Sequence, residues 1–257
     1  QRVEPGTYRH VLEEEWYQGR GAFGGQVTGA LLHGFMDHLG KPGFLPRSMT
    51  THFCTPGKAG PAECQVRIDH VGRSGAHLSG RVVAADKVVA TAVALFGPSR
   101  SGGLQWESES PPDVPGPREL SRAPWFPPQP NFCQNIDYRY LFDTAPFCGS
   151  PRPIMGGWAR PAEGGAMSWA VFAALLDVWA PPALAMLDQF APAATLDMTT
   201  HFLAPPPREE GAFVLHHTVS PTISDGFGET MGTVWSEQRR LVARTRQMVG
   251  IWQSPPG

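Results

Sequence analysis

The feature that most constrains this chain is a repeat. Met49-Thr50-Thr51-His52-Phe53 recurs letter for letter as Met198-Thr199-Thr200-His201-Phe202, an offset of 149 residues (from position 49 to position 198). The flanks repeat in the same order. Upstream, Ala30-Leu31-Leu32-His33-Gly34-Phe35 parallels Ala174-Leu175-Leu176-Asp177-Val178-Trp179. Downstream, the run from Lys87 to Ala94 parallels the run from Arg240 to Gln247. A fixed internal period marks repeated structural units. Three ordered parallels therefore predict two copies of one unit.

Between the copies, Pro98 to Pro130 holds prolines at 98, 111, 112, 115, 117, 124, 127, 128 and 130. Proline at that density enters neither a helix interior nor a central strand, so an extended connection draped over a surface is expected. The division is 1–97 for the first unit, 98–132 for the linker and 133–257 for the second. Each copy opens a helical pattern. Val27, Leu31, Gly34 and Phe35 share one helix face, as do Trp169, Phe172, Ala173 and Leu176. Strand-like segments follow near 47–55, 62–71, 75–85 and 88–96 in copy one. In copy two they lie near 194–204, 211–220, 227–236 and 240–252. Further strands are expected before the helices, near 7–16, 135–142 and 153–160. One helix followed by a four-strand antiparallel meander suits a curved sheet wrapped around that helix.

A formal charge of −2 on 257 residues gives no electrostatic attraction for nucleic acid or an anionic membrane. No apolar run approaches the roughly 20 residues that cross a bilayer. The opening QRVEPGTYRHVLEEEW lacks the basic and apolar regions of a signal peptide. Cys54, Cys64, Cys133 and Cys148 show no CxxC spacing, and free thiols of a cytoplasmic protein are expected. Gly19 to Gly24 fits G-x-G-x-x-G, but the preceding Leu12-Glu13-Glu14-Glu15-Trp16 is too acidic for a buried strand, and βαβ alternation is lacking. Glycines ahead of a helix still leave its N-terminus open to an anion or oxyanion. No G-x-S-x-G elbow or Walker A sequence is present. His216 and His217 are adjacent on an expected strand and point to opposite faces, which is poor metal geometry, so no metal site is expected.

Two polar residues sit in apolar company, and a third opens a strand. On the last strand Leu241, Ala243, Thr245, Gln247, Val249 and Ile251 share one face, while Arg244 and Arg246 mark the other as wet. Gln247 is thus expected to be buried, where an unsatisfied amide costs about 1–3 kcal/mol. Copy one has Ala94 in its place, so the fold does not require the amide. Asp177 falls in the last turn of an apolar helix, where the dipole disfavours it and burial would raise its pKa; copy one offers His33. Thr195 opens the strand Thr195–Phe202. By simple alternation it shares a face with Asp197, Thr199 and His201, opposite Leu196, Met198 and Phe202.

Together these segments resemble a known family. Phe23-Gly24-Gly25-Gln26-Val27 opening a helix, His52-Phe53 followed by Pro56-Gly57, and Gly72-Arg73-Ser74-Gly75 resemble the first half of type II acyl-CoA thioesterases. Leu176-Asp177, Ala194-Thr195-Leu196-Asp197 and Leu241 to Gln247 resemble that family's catalytic segments. The resemblance implies an α+β double hotdog, two tandem units sharing a continuous antiparallel sheet with a central helix in each. It implies an acyl-CoA substrate, hydrolysis without cofactor or metal, and a water held by Asp177, Thr195 and Gln247. Backbone N–H groups of Gly24, Gly25 and Gln26 would receive the thioester oxygen. Homo-oligomerisation is left open. Two other readings compete. One is a hotdog enoyl-thioester hydratase or dehydratase, whose Asp-x-Asn-Pro-x-His type segment is not found here. The other is a non-catalytic protein that binds acyl-CoA or an acyl carrier.

Overall fold

In each half a short helix lies against the inner face of antiparallel strands, as the periodicities require. The structure, a computed structural model, describes residues 1–100 and 102–253. Copy one contains β1 (Arg2–Glu4), β2 (Thr7–Leu12), the small hairpin β3 (Tyr17–Gln18) and β4 (Gly21–Ala22), and helix α1 (Gly24–Leu39). Strands β5 (Phe44–Phe53), β6 (Gly60–Val71), β7 (Ala76–Ala84) and β8 (Lys87–Pro98) follow. Copy two contains β9 (Ile136–Tyr140), β10 (Ile154–Pro161), helix α2 (Trp169–Leu175), β11 (Ala193–Phe202), β12 (Val214–Val219), β13 (Ile223–Ser224), β14 (Phe227–Ser236) and β15 (Leu241–Ile251). The strand expected over 7–16 stops at Leu12, because Glu14–Trp16 turns into a 3-10 helix.

All strands except β3 and β4 join one sheet of thirteen, in the order β1-β2-β6-β7-β8-β5-β11-β15-β14-β12-β10-β9, with β13 on β14. The expected four-strand meander is corrected to three. β6, β7 and β8 run as a meander, and β8 then returns beside β5, so β5 and β6 are not neighbours. The Pro56-Gly57 connection carries the chain across to β6 instead of turning it back as a tight hairpin.

The copies meet edge to edge at β5 and β11, paired antiparallel with Asp197 opposite His52 and His201 opposite Ser48. At the middle of that ladder Thr50 faces Thr199, its own counterpart in the repeat, and their hydroxyls are 3.0 Å apart. The pair lies on the pseudo-two-fold relating the halves. Beneath the sheet the helices pack antiparallel at small residues: a Cβ on Gly29 would stand 2.6 Å from the Ala170 carbonyl, and one on Gly25 would strike that of Ala174. Helix α1 runs 16 residues to Gly40, whose φ of +53° closes it in the left-handed cap that glycine adopts without penalty. Helix α2 starts at a Ser168 cap whose hydroxyl accepts from the Val171 N–H at 3.2 Å. It runs only seven residues, and Pro181-Pro182 follow shortly after it.

The linker lies on the outer face of copy two. Val114 and Leu120 pack on a cluster of Trp158, Phe213, Leu215 and Trp235, and the Trp158 indole donates to the Pro115 carbonyl at 2.9 Å. Beside it the buried Asp137 carboxylate binds Arg139 at 2.9 Å and Arg160 at 3.1 Å. Arg139 also donates to the Leu120 carbonyl, fastening the linker.

Candidate active site

The site forms where the start of α1 meets the end of α2, so both copies contribute. Helix α2 ends at Leu175 with Leu176 as its cap, so Asp177 lies just past the helix and not within its last turn; its N–H donates to the Ala174 carbonyl at 3.2 Å. The carboxyl is buried, and Oδ2 has no hydrogen-bond partner among the described residues. Burial raises its pKa from 3.8 to about 7, with the Gln247 amide and the Gly25 N–H pulling it partway back. The first residue of α1 sits against it: a Cβ on Gly24 would be 2.7 Å from Asp177 Oδ2 and 3.0 Å from the Phe53 ring. Glycine is required there by space.

The N–H groups of a first helical turn have no acceptor within the helix, and the dipole makes that end positive. Gly24 and Gly25 occupy this turn. Gln26 is held differently: its N–H donates to the Phe23 carbonyl at 3.1 Å, and its side-chain Oε1 is buried without a partner. Of the three residues expected from sequence to offer oxyanion donors, Gln26 has its N–H on the Phe23 carbonyl and Gly25 has its N–H toward Asp177.

Gln247 is buried, as its strand face required, and lies opposite Met198 in the β11–β15 ladder. Its Nε2 approaches Met198 Sδ at 3.6 Å, and its Oε1 accepts from the Thr195 hydroxyl at 3.1 Å. That last contact corrects the alternation drawn from sequence. The β11–β15 register shifts between Thr195 and Asp197, so Thr195 pairs with Val249 while Asp197 pairs with Met248. Gln247 and Val249 share a face, and the extra residue of this bulge turns Thr195 onto it. The same irregularity occurs in copy one between Pro46 and Ser48 on β5, at the repeat-equivalent positions. The bulge is inherited from the repeated unit; only copy two places a hydroxyl there.

Copy one does not repeat these three residues. Ala94 stands where Gln247 does, opposite Met49, and Pro46 where Thr195 does. His33 is exposed beside the Tyr8 ring, 6.3 Å away. Sequence reasoning missed the wall behind Asp177. Tyr138 donates to the Val178 carbonyl at 2.8 Å, and Tyr138 and Tyr140 meet the Trp179 ring edge-on at 5.2 and 5.0 Å. The signal available was Trp179 itself, two residues past Asp177. No cluster of metal ligands occurs among the described residues.

One continuous antiparallel sheet carrying two helices defines a double hotdog. The chain belongs to the acyl-CoA thioesterase family: residues 12–97 match its N-terminal domain and residues 109–251 its C-terminal domain. Among solved structures it is similar to a hot dog fold protein of unknown function from Alicyclobacillus acidocaldarius, 26% identical, with a TM-score of 0.90 over 99% of this chain and 96% of that one. It is also similar to a tesB protein of Mycobacterium avium subspecies paratuberculosis, 18% identical, TM-score 0.80, over 100% and 96%. An acyl-CoA thioesterase II of Mycobacterium marinum is 19% identical, TM-score 0.78, over 99% and 96%. No curated protein matches the chain.

Proposed function

We propose that the protein hydrolyses a fatty-acyl or related CoA thioester, with Asp177 as general base. The observation that carries this is a carboxyl buried against the open N-terminus of α1, beside an amide and a hydroxyl already bonded to each other. A base works best with a pKa near the working pH, and burial brings Asp177 to about 7. In the reaction a water oxygen attacks the thioester carbonyl carbon while Asp177 takes one of its protons. Gln247 and Thr195 orient that water. The carbonyl oxygen, gaining charge, is received by the N–H groups at the start of α1, led by Gly24, whose N–H has no acceptor within the helix. The tetrahedral species collapses by breaking the carbon–sulfur bond, releasing the acid, and the CoA sulfur leaves with a proton.

The four cysteines are free, and no helix of the described residues is long and apolar enough to cross a membrane. The cytoplasm is the compartment we assign. The test is thiol release from a panel of acyl-CoAs, run beside hydration of an enoyl-CoA, with wild type and Asp177→Asn. Turnover in wild type that falls at least about 100-fold in the variant supports the reading. Hydration without thiol release, or binding without either, overturns it.

A further inference from the structure

The start of α1 has no polar cap. Its N-cap residue is Phe23, which has no side-chain acceptor to offer the first turn. A serine, threonine, aspartate or asparagine in that place would compete for the N–H groups of the turn. Packing holds the helix start instead. The Phe23 ring is fully buried and folds back against Gly25, where a Cβ would strike its edge. Its face stacks on the buried Phe132 ring, with centroids 4.0 Å apart and planes at 1°.

Phe132 closes the proline-rich linker, in a 3-10 turn over Asn131–Asn135. Two amides fasten that turn beside the start of α1. Asn131 Nδ2 donates to the Glu14 carbonyl at 3.0 Å, and Asn135 Nδ2 to that of Glu15 at 3.1 Å. The Phe23 N–H donates to the Trp16 carbonyl at 2.8 Å, so the clasped Glu14–Trp16 turn is tied to the residue whose ring Phe132 covers. The next residue reaches the other half of the site. Cys133 Sγ lies 3.8 Å from the Tyr138 hydroxyl, which donates to the Val178 carbonyl at 2.8 Å, one residue past Asp177. One short segment is packed on the helix start from copy one and on the chain that carries the carboxyl from copy two.

We propose that Phe132 is a positioning residue for the reaction assigned above: its stack on Phe23 sets the distance between the Gly24 N–H and the Asp177 carboxyl. This rests on the reading of the site as a thioester hydrolase. The margin is small, since a Cβ on Gly24 would already stand 2.7 Å from Asp177 Oδ2. Misplacing reacting groups by about 1 Å costs on the order of 100-fold in rate. The Gly25 N–H, which draws the Asp177 pKa down, sits against the same ring.

The experiment measures thiol release, its pH profile and thermal melts for the full chain as wild type, Phe132→Leu, the double variant Asn131→Ala with Asn135→Ala, and Phe96→Leu. Phe96 is a fully buried ring on β8, among the strands of copy one, and serves as the control for a lost core contact. Phe132→Leu should lower kcat by about tenfold with KM within about twofold, because the geometry lost is needed in the transition state. Its kcat/KM midpoint should move to higher pH as the Gly25 N–H leaves Asp177. The asparagine double variant should move both readouts the same way by less, and it decides the matter if Phe132→Leu does not fold. Phe96→Leu should cost stability alone. Wild-type turnover with kcat and midpoint unchanged in the linker variants would overturn the inference and leave the thioesterase reading standing. Equal losses in Phe132→Leu and Phe96→Leu, or a loss carried by KM, would also overturn it. No thiol release from any acyl-CoA by wild type would bring down both readings together.

Discussion

The two ends of the helix pair are built from one repeated unit and hold opposite chemistry. At one end Asp177 is buried, Thr195 and Gln247 are bonded to each other, and the free start of α1 faces them. At the other, His33 lies in solvent, Pro46 occupies the bulge and Ala94 the amide position. Since copy one folds with the apolar set, the polar groups of copy two are not there for the architecture. Asp177 makes the point in energy. Its pKa of about 7 against 3.8 means the folded protein holds this group against a penalty whenever it is ionised.

The sharpest way to break the contrast is to remove the carboxylate. Asp177→Asn should lose about 100-fold or more in kcat/KM, read by thiol release, and a thermal melt should show it folded. At pH 8 it should be more stable than wild type, by on the order of a few kcal/mol. The sign follows from the raised pKa. Below 3.8 the carboxyl is protonated folded or unfolded and has no effect. From 3.8 to about 7 the unfolded chain releases a proton that the folded site keeps, so wild-type stability falls as pH rises, and above 7 the deficit is constant. Denaturant melts of both proteins from pH 4 to 8 measure it; curves that stay parallel would mean Asp177 ionises normally.

Next in size is Gln247→Ala, expected to lower kcat by about 10- to 100-fold with a smaller rise in KM, because a water-orienting contact matters chiefly in the transition state. Thr195→Val, which removes only the hydroxyl held 3.1 Å from Gln247, should act in the same direction and less, by roughly tenfold or under. The wild-type pH profile should show kcat/KM rising with pH through about 7 and then levelling, as a free-enzyme base requires. A profile already flat from pH 5 upward would remove Asp177 as the base. The smallest effects belong to copy one. His33→Ala should leave kcat within about twofold, as an exposed substitution does, and Ala94→Gln should create no second site. Loss of turnover in His33→Ala with Gln247→Ala still active would place the chemistry in the wrong half.

Most of this architecture is legible in the sequence because period-2 and helical patterns are set by burial. Gln247 was found that way, its strand being divided cleanly by two arginines. Thr195 was placed on the wrong face because alternation assumes an unbroken ladder, and one extra residue at Leu196 reverses it. Nothing in Thr195-Leu196-Asp197 announces a bulge; the hint was Pro46 at the same point of copy one, a residue that cannot donate to a ladder. The meander was misread because local signals give strands but not partners. The turn that closes the Gln26 N–H onto Phe23 is not encoded in any one residue. The wall of Tyr138, Trp179 and His216 brings together three distant segments and is visible only once β9, β10 and β12 are side by side.

The Thr50–Thr199 pair carries a consequence for how this molecule can change. In a symmetric dimer of separate chains every substitution is made twice, so a residue that improves one site alters its twin, and a buried charge is incurred in duplicate. Here the point where two chains would meet across the axis is a pairing within one chain. Each half can then vary alone. One keeps a more apolar interior and lends the start of its helix; the other carries the destabilising carboxylate once, for the benefit of both.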